Sequence, residues 1–272
     1  MTHETSIALL IDADNSPSGK IEEILDELAK YGVINIRRAF GNWKSPHLKG
    51  WEGVLHDYAI QPMQQFAYTK GKDASDMAMI IDAMDLLYTK QLDGFCIVSS
   101  DSDFTPLVMR IRANGLKVFG FGEKKTPDPF VNACSKFLYL ETLGKQAPEE
   151  AVVEAKASIA NTEVPAAPVA APAALSAPTA AKTANVKVGT KELKANTRLV
   201  NLLRMSVKAA ADDEGWAELG AVGQHISKQA SFDSRNYGYA KLKDLFQAIA
   251  LFEIRKNDKS IYIRDKNKAT QN

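Results

Sequence analysis

Cysteine is scarce in this chain of 272 residues, which holds only Cys96 and Cys134. Cys96 falls inside an apolar run, so neither a disulfide framework nor a thiolate zinc site is indicated, and a reduced, cytoplasmic setting fits. Histidine is nearly as sparse. His3, His47, His56 and His225 are scattered and form no pair at ligand spacing, which disfavours zinc. The opening Met1-Thr2-His3-Glu4-Thr5-Ser6 lacks the basic region and apolar stretch of a signal peptide. Long runs of Leu, Ile and Phe are missing too. The uncharged stretch 164–181 consists largely of alanine and proline, so it reads as a linker and not as a membrane span. Net charge is almost absent at +1, but its layout is uneven: residues 235–268 hold nine Lys or Arg against four Asp or Glu. That local surplus suits a polyanionic partner.

What is present is enough for two domains with real cores, given the length and a hydrophobic content of 45%. The first half alternates strands and helices. Strands are expected at 7–11, 33–40, 62–66, 95–100, 117–121 and 137–140. A helix over 17–31 carries Ile21, Ile24, Leu25 and Leu28 and stops at Gly32. Another carries Leu48, Trp51, Leu55 and Tyr58. The helix after Asp73 is expected to bury Met77, Ile80, Ile81, Met84 and Leu87. Thr105-Pro106 opens a further helix, and a last one is expected near 130–136. Repeated units of this kind imply an α/β fold with a mainly parallel sheet covered on both faces. Residues 145–190 form an Ala/Pro-rich tether between a domain at 1–144 and another at 191–272. The second domain offers helices around Leu199 to Val207, at 220–229, and over Tyr239, Leu242, Leu245, Phe246 and Ile249. With the apparent hairpin at its end, it reads as a small winged-helix-like α+β module.

Two strands run directly into carboxylates: Ile7-Ala8-Leu9-Leu10-Ile11 into Asp12-Ala13-Asp14-Asn15, and Phe95-Cys96-Ile97-Val98 through Ser99-Ser100 into Asp101-Ser102-Asp103. In an open parallel sheet, ligands bind outside the carboxyl ends of strands, so these acids line a crevice. Asp76 and Asp82 on the intervening helix add to the set. Phosphodiester hydrolysis needs a hard cation, and Mg²⁺ or Mn²⁺ prefers oxygen ligands. Carboxylates gathered from several strand ends would meet that need, so Asp12, Asp76, Asp101 and Asp103 are candidates for a metal-dependent phosphodiester site. Each acid also has a plainer use. Asp12, Asp14 and Asn15 can make a turn and cap a helix; Asp73 and Asp76 can form an acidic capping box; Asp101 and Asp103 can cap the Thr105 helix. Asp82 lies about 120° around its helix from Asp76, so it is assigned a supporting place, with Asp14 and Asn15.

Taken in order, the segments Leu10-Ile11-Asp12-Ala13-Asp14-Asn15, then Lys70-Gly71-Lys72-Asp73-Ala74-Ser75-Asp76 with Ile81-Asp82-Ala83, then Val98-Ser99-Ser100-Asp101-Ser102-Asp103-Phe104 resemble the NYN domain of the PIN-like nuclease superfamily. The LabA-like branch is the nearest in pattern. The resemblance implies a PIN-like three-layer α/β/α domain in which acids matching Asp12, Asp76, Asp101 and Asp103 hold one or two divalent cations and cut RNA. Asn15 matches the family's asparagine beside the first acid, while Asp73 and Asp76 compete for the helix position. The frame from Met77 to Ala83 favours Asp76.

Residues 197–264, above all Tyr237-Gly238-Tyr239-Ala240-Lys241-Leu242-Lys243-Asp244-Leu245-Phe246, resemble the OST-HTH/LOTUS domain. That resemblance implies RNA binding, with Lys241, Lys243, Arg255, Lys256 and Lys259 as phosphate contacts. Lys70, Lys72 and Lys124 would steer the strand near the acids. The expected partner is RNA, single-stranded or structured, with no membrane role; homo-oligomerisation stays open. The tether would let two weak RNA sites act together without a fixed domain interface. Competing readings are a catalytically silent RNA-binding adaptor and a haloacid-dehalogenase-like phosphatase built on Asp12-Ala13-Asp14. A nucleotide-binding oxidoreductase built on Gly120-Phe121-Gly122 lacks the third glycine.

Overall fold

The computed structural model describes residues 4–65, 74–144, 187–257 and 260–266. Lys70, Lys72, Asp73 and Lys259 lie outside the described residues, as does most of the expected tether. The N-terminal unit runs β1 (Ser6–Asp12), α1 (Ile21–Leu28), β2 (Val33–Gly41), α2 (Glu52–Asp57), β3 (Gln61–Gln64), α3 (Ala74–Thr89), β4 (Gly94–Val98), α4 (Thr105–Ala113), β5 (Lys117–Gly122), α5 (Asp128–Ala133) and β6 (Lys136–Tyr139). All five strand pairings are parallel, in the order β3-β2-β1-β4-β5-β6. The chain therefore winds outward from β1, then crosses back to place β4 on the other side of β1. That reversal opens a crevice at the carboxyl ends of β1 and β4.

The apolar runs are continuous because the sheet is covered on both faces. Alternate residues serve alternate faces. Ile7, Leu9 and Ile11 with Cys96 and Val98 pack toward α1 and Trp51. Ala8 and Leu10 with Phe95 and Ile97 pack toward α3, α4 and α5. The same alternation carries Asp12, and Ser99 just past the end of β4, onto the α3 side of the sheet.

The sequence reading of α3 needs correction. Met77 and Ile81 are 59% and 56% exposed, whereas Asp76, Met79, Ala83 and Leu86 form the buried face. Apolar residues surround this helix almost completely, so their spacing does not single out one face. The rotation turns Asp76 inward. The last helix also ends earlier than expected, because Cys134 is extended; Lys136 consequently opens β6 instead of closing a helix.

The C-terminal unit comprises α6 (Thr190–Ala195), α7 (Thr197–Ala210), β7 (Ala217–Glu218), α8 (Leu219–Gln229), α9 (Leu242–Ile249), β8 (Phe252–Asn257) and β9 (Ser260–Asp265). The expected hairpin is β8-β9, with β7 added as a third antiparallel strand. Leu199, Leu203, Val207, Val222, Ile226, Phe246 and Ile263 form its core. Tyr239 is a core residue ahead of α9, and its hydroxyl donates to the Val188 carbonyl at 2.7 Å.

The two units also touch, contrary to the expectation of modules without a fixed interface. Arg235 donates to both oxygens of Glu27, at 2.8 and 2.7 Å, and to both oxygens of Asp233, each at 2.9 Å. Lys136 pairs with Asp233 at 3.0 Å and donates to the Tyr31 hydroxyl at 2.7 Å. Asn236 donates to the Phe137 carbonyl at 2.9 Å and accepts from the Tyr139 amide at 3.3 Å. Burial alone would raise the Glu27 pKa, but hydrogen bonds from Arg235, Lys30 and Tyr31 hold it down at about 2. This knot draws on residues more than 200 positions apart, which no local pattern reveals.

Candidate active site

Asp12 ends β1 and is almost fully buried. Its Oδ2 accepts from Ser99 Oγ at 2.8 Å and from Asn15 Nδ2 at 3.1 Å, and its Oδ1 accepts from the Asn15 amide at 3.3 Å. Burial pushes the Asp12 pKa up; the hydrogen bonds from Ser99 and Asn15 oppose that rise, and the neighbouring Asp14 adds to it. Among the described residues, the hydrogen bonds to Asp12 come from the neutral donors Ser99 and Asn15. The site thus holds a desolvated carboxylate that neutral donors orient among the described residues.

Ser99 connects the two strand ends. Besides binding Asp12, its oxygen accepts from the Asp101 amide at 3.1 Å. The Asp101 carboxylate accepts from the Asp103 amide at 2.8 Å and caps the 3-10 turn Ser102–Phe104. The plainer capping use of Asp101 is therefore real, and it leaves the side chain at the crevice. Asp103 is exposed at the rim.

Gly122 supports the same arrangement. A β-carbon there would lie 2.5 Å from the Ser99 carbonyl and would force β4 and β5 apart. This close approach accounts for glycine at that position without any nucleotide-binding motif.

The neighbouring acids divide into three situations. Asp14 is exposed, accepts from Ser75 Oγ at 2.8 Å, and so ties the start of α3 to the loop after β1. Asp76, one residue beyond Ser75, is buried in the first turn of α3. Asp82 instead pairs with Arg38 of β2, beside Leu10 and two rungs below Asp12. Asp82 thus belongs to the wall below the crevice. Sequence reasoning missed Ser99, Ser75 and Arg38. The clue for Ser99 was its strand parity with Ile97, which puts it on the face of Asp12.

Among the described residues, no three Asp, Glu, His or Cys side chains lie close enough together to enclose a metal ion. A complete cage is not what Mg²⁺ requires, since it keeps several waters and takes one or two carboxylates. The oxygen-only donor set and the raised pKa of Asp12 fit a hard divalent cation, which would offset the charge that burial penalises.

Residues 6–141, half of the chain, match the family model of the NYN domain. The chain belongs to the NYN domain family. Residues 194–263 match the OST-HTH/LOTUS domain. A curated relative, the uncharacterized protein MJ0482 of Methanocaldococcus jannaschii, is 26% identical over 129 residues, covering 44% of this chain and 48% of that protein. The chain thus spans about half the length of that relative. Among solved structures, a protein of unknown function, VPA0982 from Vibrio parahaemolyticus, is 19% identical with a TM-score of 0.44, covering 51% of this chain and 94% of that one. An uncharacterized protein from locus NE0665 of Nitrosomonas europaea is 33% identical with a TM-score of 0.25, covering 34% and 88%.

The NYN sheet has the helix-covered α/β/α architecture of a nuclease-like fold. The OST-HTH unit adds an RNA-binding class of domain. Within that unit the predicted contacts spread over two elements: Lys241 and Lys243 begin α9, whereas Arg255 and Lys256 lie on β8. The Arg255 and Arg264 guanidiniums lie 5.2 and 4.6 Å from the centre of the half-buried Trp216 ring. Trp216 therefore carries two cations on its face instead of lying wholly in the core. Lys124 is exposed after β5, at the acidic end of the NYN sheet.

Proposed function

We propose that this protein is a divalent-metal-dependent ribonuclease whose NYN unit over 1–144 cuts RNA held in part by the OST-HTH unit over 191–272, the two joined by a linker over 145–190. The observation that carries this reading is Asp12: a buried carboxylate at a sheet crevice, braced by Ser99 and Asn15, with its pKa raised by burial. Asp12, with Asp101 or Asp76 and with waters completing the shell, would hold Mg²⁺ or Mn²⁺. When bound, such a cation supplies charge neutralisation at phosphate oxygens and acidifies water.

The chain's own residues do the rest. Ser99 and Asn15 fix the plane of the Asp12 carboxylate, so its oxygens do not have to reorganise during the reaction. Asp103, at the exposed rim, would be a further ligand or orient the attacking water. Lys124 and, outside the described residues, Lys70 and Lys72 draw the phosphodiester backbone toward the acids. Asp14 joins α3 to the first loop through Ser75 and keeps Asp76 facing inward. The two cysteines are buried free thiols, compatible with the cytoplasmic setting we assign.

The test is cleavage of labelled single-stranded RNA by the full chain with Mn²⁺, Mg²⁺ or chelator, alongside Asp12→Asn and Asp101→Asn. Metal-dependent cutting that both substitutions abolish is the expected result. Folded protein that binds RNA and cuts none under any condition would make it an adaptor, and turnover of a small phosphomonoester would favour the phosphatase alternative.

A further inference from the structure

A cleft of about 810 Å³ opens where the OST-HTH unit meets the NYN unit. It is remote in the fold from the acids: Lys117 opens β5 and Lys136 opens β6, whereas the carboxylates gather where the strands end. Five of its lining residues are cationic, namely Lys30, Arg112, Lys117 and Lys136 from the NYN unit and Lys228 from the end of α8, and none is acidic. Lys30 and Lys136 are engaged by Glu27 and Asp233 behind the wall. Lys117, Lys228 and Arg112 are exposed and make no ion pair among the described residues. Like charges from two domains repel at such a seam, and the Glu27–Arg235–Asp233 knot holds them together against that repulsion.

A second, smaller cavity of about 340 Å³ shares Asn132, Ala230 and Ser231 with the first. Tyr139, Phe232 and Tyr237 are among its walls, with Arg198 and the acids Asp128 and Asp233, the last of them paired with Lys136 and Arg235. The Ser231 hydroxyl between the two is buried and has no hydrogen-bond partner among the described residues. A cationic channel beside an aromatic slot, with an unused hydroxyl at the junction, matches a chain that alternates phosphates with planar rings.

We infer that this interdomain cleft is a binding path for the backbone of single-stranded RNA, complete only when the two units are docked. The inference rests on the RNA-directed reading above but not on cleavage. Because β5 has six residues, RNA leaving the cleft must run roughly 20 Å along the sheet edge to reach the acids. The docked units therefore act as a spacer between where RNA is gripped and where it is cut.

The test is fluorescence anisotropy of a labelled, unstructured RNA of about 20 nucleotides, longer than that path, with full chain and chelator across a salt series. The double variant Lys117→Gln, Lys228→Gln should bind at least about tenfold more weakly, with a salt slope shallower by about 1.4 for two lost phosphate contacts. Glu27→Ala adds positive charge yet should also bind more weakly, because it releases Arg235 and undocks the cleft. Far-UV circular dichroism checks that each variant is folded. Unchanged affinity and slope in the double variant would overturn the proposal. So would tighter binding by Glu27→Ala, which would mean that charge alone governs the contact. RNA that is bound but never cut in Mn²⁺ sinks the nuclease reading and leaves the cleft standing, while absence of binding by the unaltered chain sinks both.

Discussion

Asp12 and Glu27 are both carboxylates buried in the NYN unit, and their surroundings drive them in opposite directions. Glu27 receives Arg235, Lys30 and Tyr31, and its pKa falls to about 2 despite burial. Asp12 receives only neutral donors, Ser99 and Asn15, and burial pushes its pKa up. One charge is fully answered within the chain and serves to hold two domains together. The other is oriented by neutral donors among the described residues, an arrangement that the proposed metal-dependent activity would use.

The contrast can be broken in several ways. The largest effect is expected in catalysis: Asp12→Asn and Asp101→Asn should lower metal-dependent cleavage by about a thousandfold, roughly 4 kcal/mol of barrier, as read by single-turnover assays. Glu27→Gln, assayed on RNAs too short to reach the cleft, should cut at the unaltered rate. Equal losses at both positions would mean that the two carboxylates are not distinguished by role.

Next is the knot. Arg235→Ala leaves Glu27 buried without its main partner and should cost about 2–3 kcal/mol in urea unfolding, the lower end for a buried pair because Arg235 is 28% exposed. A cost near zero would reduce the knot to a surface pair.

Asp12→Asn should act in the opposite sense on stability. Removing a desolvated charge should raise the Tm of metal-free protein by about 2–4 °C, and added Mn²⁺ should raise the Tm of the unaltered chain but not of the variant. A lower Tm in the variant would show that Asp12 is a stabilising cap.

The smallest expected effect is the pH response of docking. Glu27 has its pKa depressed from 4.5, so its contribution is present above pH 4.5 and is lost as pH falls through about 2. Small-angle scattering should show the radius of gyration growing over that interval, and growth on raising the pH instead would exclude Glu27 as the latch.

The legible parts of the molecule were those governed by local rules. The strands expected at 7–11 and 95–100 were plain because a doubly covered strand must be apolar throughout, although the second ends at Val98, before the two serines. The place of Asp12 at a strand end followed from that rule, and the two domain types followed from ordered motifs. The facing of α3 was not legible, since Met77 and Ile81 are as apolar as the buried Met79 and Leu86. Nor was the place of Ser99, whose role depends on β1 and β4 being neighbours. The interdomain knot was hidden most deeply, because Glu27, Lys136 and Arg235 share no segment of sequence.

Asn236 has a wider bearing than its two hydrogen bonds suggest. Its side-chain amide accepts from one backbone group of β6 and donates to another, as a residue of a seventh strand would do. The open margin of a parallel sheet is a template on which other chains can polymerise, and β3 at the opposite margin carries Pro62, which cannot extend such a ladder. Asn236 of the OST-HTH unit thus occupies part of the β6 margin, and the NYN unit expressed without that unit is expected to self-associate through β6, as sedimentation at increasing concentration would reveal.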